Sequence, residues 1–526
     1  MLRPGRGAGG WLSSSDWLWL LLRGTFGSTG RNHTWAWNVG FLLLISAAHH
    51  NLPSTTTSFL FFPTHATFFT SPAPSSSPAV PHSSPAAPQS TPAPLPIVEV
   101  SLPAKEGSSE KSVTMTDAQV YKVLLASAIL IFWSGFWVVH LIGIIYGYRR
   151  LHQRRALSVE SGDQGVLGVS VLKPLVGTPM DPNLMTNLET FFTLNYPKFE
   201  LLFCVQEEGD PSIMIVQQLM KKHPHVDASC FIGGLEVGVN PKINNMQPGY
   251  LAAKHELLLV SDSGLLMKED TLTDMVAHMT PDVGIVHQMP FTCDRKGWPA
   301  ILEKVYFGTG HARMYLFLGL LDALGFGVNC CTGMSCLMRK KVLDEAGGIS
   351  AFGIYLAEDY FFAKYIQDRG WGIRIASQPA WQNAGICRVK TFLSRLTRWC
   401  KLRIAMVPHT ILLEPFSECM VLGLVVSWAA TVLLRADYLT FFLFHTLTWS
   451  LADWIMLNIV QFICLQNGPP PFSKFEFVIS WLFREVSALF IFLHAMWNPV
   501  ISWRTGSFKL RWWGVAEPVS SRVTVM

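Results

Sequence analysis

The chain has 526 residues, of which 50% are hydrophobic, 12% aromatic and only 15% charged, well under the roughly 25% charge of ordinary soluble domains. A purely soluble protein is therefore excluded, while the length leaves room for a folded domain of ordinary size beside membrane segments. The balance of 41 Lys plus Arg against 36 Asp plus Glu, net +5, is too small and too dispersed for a nucleic-acid partner.

The first predicted unit, residues 1–114, is dominated between Pro53 and Pro103 by Ser, Thr, Pro and Ala. Such a composition buries too little apolar surface to offset chain entropy and reads as a disordered extension. Met115 then opens a segment that would serve equally well as a chain start, so 1–114 is expected to be an alternative or wrongly assigned extension. Residues 123–145 contain no Asp, Glu, Lys or Arg, and this run has the length of one transmembrane helix. Arg149, Arg150, Arg154 and Arg155 follow it, placing the C-terminal side in the cytosol by the positive-inside rule. The unit predicted here spans 115–155.

Residues 156–410 read as a cytosolic α/β domain. Short β-rich runs at 166–172, 200–205, 256–261 and 283–287 alternate with helical stretches at 183–194 and 211–222. That is the rhythm of βαβ units on a mostly parallel sheet. Ligands of such sheets bind at the carboxyl ends of the strands, so the turns around Asp210 and at Asp262-Ser263-Gly264 draw attention. An aspartate directly at the end of an apolar strand, followed by a glycine that lets the backbone approach a ligand, suits a divalent cation and a nucleotide diphosphate. A simple strand-ending Asx turn is the competing explanation. Glu358-Asp359 enters a helical run, where an acid can act as a cap or, in an apolar loop, as a general base. Arg395 and Arg398 lie three apart on one helix face with Trp399 beside them, able to grip a diphosphate or to anchor at a membrane surface.

Residues 411–500 form the membrane-embedded C-terminal unit, with apolar stretches at 419–434, 438–465 and 475–497. Asp453, Arg484 and Glu485 interrupt them and should face protein or water. Residues 501–526 form a basic, cytosolic tail. If tail and α/β domain share a side, one of the three stretches must be re-entrant or interfacial, the short first one being the candidate. The ten cysteines make no CxxC pair and suit buried, reduced thiols.

In order, an acid after the second strand run, Asp-Ser-Gly, Glu-Asp-Tyr and Arg-x-x-Arg-Trp before C-terminal membrane segments resemble the D, D, D, (Q/R)xxRW signature of membrane-bound, inverting glycosyltransferases of the GT-A fold. Residues 169–175, 187–192, 240–245, 331–340 and 501–506 are similar to the ceramide glucosyltransferases among them. The resemblance covers the chain from about Met115 and leaves 1–114 unmatched. It implies a GT-A domain between N- and C-terminal transmembrane helices, transferring glucose from UDP-glucose to the primary hydroxyl of ceramide with inversion. It implies Asp359 as the catalytic base, His311 as a further catalytic residue, and Asp210, Asp262, Arg395, Arg398 and Trp399 as substrate-binding. Mg²⁺ or Mn²⁺ would sit on Asp262, and the enzyme would act at the Golgi membrane, multi-pass, with its catalytic domain facing the cytosol. The 11-residue run 314–324 after His311 is expected to dock the lipid. Homo-oligomerisation is left open. The chain departs from the pattern at Glu207, where an aspartate is expected, and in lacking the second acid of D-x-D. A processive polysaccharide synthase would share the signature but carry Gln where Arg395 stands; a catalytically inactive membrane scaffold is the other alternative.

Overall fold

The computed structural model describes residues 116–151, 166–177, 181–328, 330–463, 468–503 and 506–519, all within one compact unit, Glu106–Met526. The extension expected over 1–114 lies outside the described residues, as do Arg154, Arg155 and Arg504. The chain enters through a long apolar helix, α1 (Asp117–Leu151), whose last turn holds Arg149 and Arg150. Then β1 (Val169–Leu175), α2 (Leu184–Phe192), β2 (Phe199–Val205), α3 (Ser212–Lys222), β3 (Ala228–Ile232), α4 (Pro241–Ala252) and β4 (Leu257–Ser261) alternate. There follow β5 (Leu265–Leu266), α5 (Thr271–Ala277), β6 (Val283–His287), β7 (Pro290–Thr292), α6 (Trp298–Gly308), α7 (Gly310–Ala323), β8 (Ser335–Arg339) and α8 (Lys340–Asp344). The domain closes with α9 (Glu358–Gln367), β9 (Gly372–Ile375), β10 (Ala380–Gln382) and α10 (Val389–Met406).

Seven strands form one sheet in the order β3-β2-β1-β4-β8-β6-β9. All pairings are parallel except those of β8, which runs antiparallel to both β4 and β6. The sheet is mostly parallel, as the strand and helix rhythm requires, and its central strands are apolar on both faces because helices cover both. On one face Leu188, Phe191, Val216 and Met275 pack against Val171, Leu201 and Leu259. On the other, Ile243, Met246, Phe362 and Ile366 meet Leu202, Leu258 and Ile285. A small sheet, β5-β10-β7, extends the strand ends toward α10. The helix α4 starts where its sequence dictates: Asn240 accepts from the Lys242 and Ile243 amides, and Pro241 takes a first-turn position that needs no N–H donor.

Beyond α10, a short helix α11 (Thr410–Leu413) and α12 (Cys419–Leu434) belong to a bent pair whose arms turn by 83°. Then come α13 (Tyr438–Ile463) and α14 (Lys474–Trp497), the latter opened by a Ser473–Glu476 capping box. Among the described residues two helices, α1 and α14, are long and apolar enough to cross a membrane, or three spans if the bent pair counts as one. The 26-residue α13 is long enough too, but buries His445, Asp453 and Gln461 in the bundle. The expected tail is not a simple extension: β11 (Val500–Trp503), β12 (Gly506–Leu510) and β13 (Ala516–Pro518) form an antiparallel sheet that packs Ile501, Phe508 and Ala516 on Leu356, Ala357 and Leu402.

The run 314–324 is helical to Ala323. It belongs to α7, which lies against α1 so closely that a Cβ on Gly147 would come 2.7 Å from Leu316 Cδ1, and one on Gly319 would come 2.5 Å from Ile375 Cδ1. Tyr315 and Leu316 are spent on packing, while Met314, Phe317, Leu318, Leu320 and Leu321 stay half-buried and Leu324 is exposed.

Candidate active site

The strand ends β1 and β4 and the loop before β8 converge on one polar cluster. The loop reaches Asp262 through its backbone, the Asp262 amide donating to the Met334 carbonyl at 2.9 Å. From below, Lys173 on β1 donates to the Ser261 hydroxyl at 3.2 Å and the Asp262 carbonyl at 2.7 Å, fixing the aspartate's backbone at the sheet edge. Burial, opposed by the Asp262 charge, lowers the Lys173 pKa well below its ordinary value. The Asp262 side chain is 42% exposed and one oxygen lies 3.0 Å from Lys242 Nζ. That ammonium also meets Glu358 Oε1 at 3.0 Å and donates to the Gly333 carbonyl at 3.2 Å. Burial pulls the Lys242 pKa down, but the Asp262 and Glu358 carboxylates outweigh it and hold it raised.

Asp359 stands on the opposite side of Gly333. Its Oδ2 accepts from the Gly333 amide at 2.7 Å and its Oδ1 from the Tyr360 amide at 2.9 Å. The N-cap of α9 is Ala357, so Asp359 is not a cap, and its position in the first turn leaves its carboxylate free to face the loop. Burial and the neighbouring Glu358 charge push its pKa up to about 6, against the pull of Lys242 and the two amides. A carboxyl poised so close to neutrality is suited to accept a proton from a substrate hydroxyl.

On α10, Arg395 donates to Gln382 Oε1 at 2.8 Å and lies 3.8 Å from Glu303, with its guanidinium 5.2 Å from the Trp399 ring centre. Arg398 instead rests over Trp503 at 5.4 Å. Burial and then Arg395 lower its pKa, opposed by the Asp262 and Glu358 charges. His311 sits among aromatic rings, stacked on Tyr315 at 4.6 Å and 6.3 Å from Trp399. Burial, with Arg403 and Arg395, brings its pKa down to about 3 and keeps the imidazole neutral. The Tyr315 hydroxyl donates to the Cys331 carbonyl at 3.4 Å, in the loop that leads to Gly333.

Lys242 and the Gly333–Met334 backbone thus link Asp262 with Asp359, while Trp399 neighbours both Arg395 and His311. Asp210 plays a different part. Its Oδ1 accepts from the Ser212 amide at 2.8 Å and hydroxyl at 2.6 Å, and both oxygens accept from the Gly177 amide at 3.1 and 2.9 Å. It ties the loop after β1 to the start of α3, and a Cβ on Gly177 would fall 2.3 Å from it. The residues missed by sequence reasoning are Lys242, Lys173 and Gln382. The signal for Lys242 was present in Asn240-Pro241-Lys242, a helix start that carries a lysine within its first turn.

Among the described residues no three His, Cys, Asp or Glu side chains gather as a metal-holding group. Asp262 alone offers an exposed carboxylate, which suits a divalent ion completed by phosphate oxygens and water, not one caged by protein. The nine described cysteines are unpaired.

The pattern of Glycosyl transferase family 21 matches residues 135–516. Ceramide glucosyltransferase 3 of Caenorhabditis elegans is 42% identical over 397 residues, covering 75% of this chain and 83% of that protein. Ceramide glucosyltransferase 1 of the same organism is 44% identical over 393 residues, covering 74% and 81%. The ceramide glucosyltransferase of Komagataella phaffii is 28% identical over 471 residues, covering 73% and 90%. Among solved structures, a mannosyltransferase from Pyrobaculum calidifontis in complex with GDP-Man and Mn²⁺ overlaps with a TM-score of 0.39 at 15% identity, covering 72% of this chain and 99% of that one; so loose an overlap carries no residue-level argument.

Proposed function

The chain belongs to glycosyl transferase family 21, and we propose that it transfers glucose from UDP-glucose to the primary hydroxyl of ceramide, with inversion to the β-glucoside. The family and the relatives support an enzyme with ceramide glucosyltransferase activity. The observation that carries the residue-level reading is Asp359, held by the Gly333 amide at 2.7 Å with a pKa of about 6. In this reading the ceramide oxygen forms its bond to the anomeric carbon while the bond from that carbon to the UDP oxygen breaks. The hydroxyl proton goes to Asp359, and the glycosidic electron pair leaves with UDP. Arg395 and Arg398 offset the charge that grows on the leaving diphosphate, and Lys242 holds Asp262 and Glu358 in place on the donor side. A Mg²⁺ or Mn²⁺ ion on Asp262, completed by the diphosphate, would supply further positive charge there. Asp210 acts through Gly177, shaping the loop that faces the nucleotide, and neutral His311 lines the acceptor side with Trp399. We place the enzyme in the Golgi membrane with this site toward the cytosol.

The test is an assay of purified protein in detergent with ceramide against a panel of UDP-sugars. Glucosylceramide and UDP formed from UDP-glucose alone support the proposal. A high-molecular-weight product would favour a polysaccharide synthase, and no UDP release with metal and ceramide present would favour an inactive scaffold.

A further inference from the structure

The charged residues inside the membrane bundle have no part in the reaction as proposed above, yet they converge on the backbone that carries His311. Between α6 and α7 the helix breaks at Thr309, whose φ of −121° and ψ of −107° lie outside the helical range. The Thr309 hydroxyl donates to the Val305 carbonyl at 2.6 Å and accepts from Arg484 Nη1 on α14. That arginine is 4% exposed and its other terminal nitrogen meets Glu418 at 3.1 Å and Asp453 at 3.2 Å, besides Glu485. Two residues after His311, Arg313 takes the other oxygen of the same Asp453 at 3.1 Å and donates to the Ser417 carbonyl at 3.1 Å. The first turn of α7 is therefore gripped on both sides of His311, and the two grips share one carboxylate. The approach at Gly310 is tight: a Cβ there would lie 3.1 Å from Arg484 Nη1 and 3.5 Å from both Glu418 oxygens.

Charges inside a bundle are costly and persist where they do something that apolar packing cannot. A fork of fixed geometry, bonded to the one residue that breaks the helix, sets the direction in which the next turn projects its side chains. Here those side chains are His311 and Tyr315, stacked at 4.6 Å. We infer that Arg484, acting through the Thr309 hydroxyl and braced by Asp453, is a positioning residue that aims His311 at the acceptor, coupling the packing of the membrane helices to the chemistry. This rests on the reading of His311 as part of the active site.

The experiment compares Thr309→Val, Thr309→Ser, His311→Ala and the Thr309→Val/His311→Ala pair in full-length protein in detergent. UDP binding serves as the check that each catalytic domain is folded. If Thr309 acts by aiming His311, Thr309→Val lowers kcat ~10-fold or more with the UDP-glucose KM little changed, since a displacement of an ångström is enough for such a loss. Thr309→Ser, which keeps the hydroxyl, restores the rate. In the His311→Ala background the same Thr309→Val change then costs under about twofold more, because residues acting through one another are not additive. Equal losses in both backgrounds would overturn the inference. Should Thr309→Val not bind UDP, Arg484→Lys, which keeps the charge and loses the fork, is put through the same cycle with the same expected non-additivity. A His311→Ala enzyme at the wild-type rate would remove the histidine's role and this inference with it. Glucosylceramide output by the parent protein in the same assay reports on the proposed function separately.

Discussion

Two titratable side chains in this site are driven in opposite directions by burial, and each ends in the state that its proposed role requires. Burial raises Asp359 to about 6 and lowers His311 to about 3. The consequence for pH has a definite sign. Asp359 accepts a proton only when ionised, so kcat falls about tenfold per pH unit below about 6, where an ordinary exposed aspartate would keep working to near 4. His311 is neutral across that whole interval and adds nothing to the limb. Asp359→Asn is expected to lose about 10³-fold in kcat, within the usual worth of a general base, with the UDP-glucose KM little altered. Its residual rate should show no acid limb near 6. Persistence of the limb in that variant, read from a pH profile of glucosylceramide formation, would move the base to another residue.

At the scale of elements, Asp210 stitches two strand ends together. Replacing it with Ala strands the Gly177 and Ser212 amides, and each buried donor left unpaired costs about 1–3 kcal/mol. A fall of several degrees in Tm and a raised UDP-glucose KM are expected, with Asp210→Asn intermediate; unchanged Tm by thermal unfolding would remove the clamp. The elements themselves were legible where apolar periodicity is strong. The run 283–287 matches β6, 200–205 falls within β2, and 419–434 coincides with α12. The strand expected at 166–172 begins three residues later in the structure and runs on through Lys173 and Pro174. Lysine and proline count against a strand, but here Lys173 is buried under Phe191, 3.6 Å from the ring centre. The strand β8 escaped notice because Cys336, Leu337 and Met338 follow a glycine-rich loop and pair antiparallel inside a parallel sheet. Of the site, the acids and the Arg-x-x-Arg-Trp box were readable, since strand ends and helix faces advertise them. The Lys242–Asp262–Glu358 arrangement was not, because it joins three elements that only the folded sheet brings together.

Across the whole molecule, the direction of the helices follows from what holds their ends. Arg150, at the end of α1, donates to the Ile375 carbonyl of β9, so α1 leaves the bilayer on the side of the catalytic sheet. The chain after α14 returns to that same side, since Lys401 of α10 donates to the Val500 carbonyl at 2.7 Å and Val515 bridges Tyr355. From α10 to β11 the polypeptide therefore makes an even number of crossings. The proposed arrangement takes the 83° bent pair as dipping in and out, and lets α13, whose 26 residues suffice in length, cross together with α14. In the proposed orientation the single crossing of α1 puts its beginning on the opposite face, with Arg149 and Arg150 at its end favouring the cytosolic side for the catalytic face. In sealed, right-side-out Golgi vesicles, trypsin added outside should abolish glucosylceramide synthesis without detergent, while an epitope placed before Thr116 stays protected until the membrane is opened. Activity that survives trypsin in intact vesicles, with the epitope cleaved, would invert the orientation and put the nucleotide-sugar on the lumenal side.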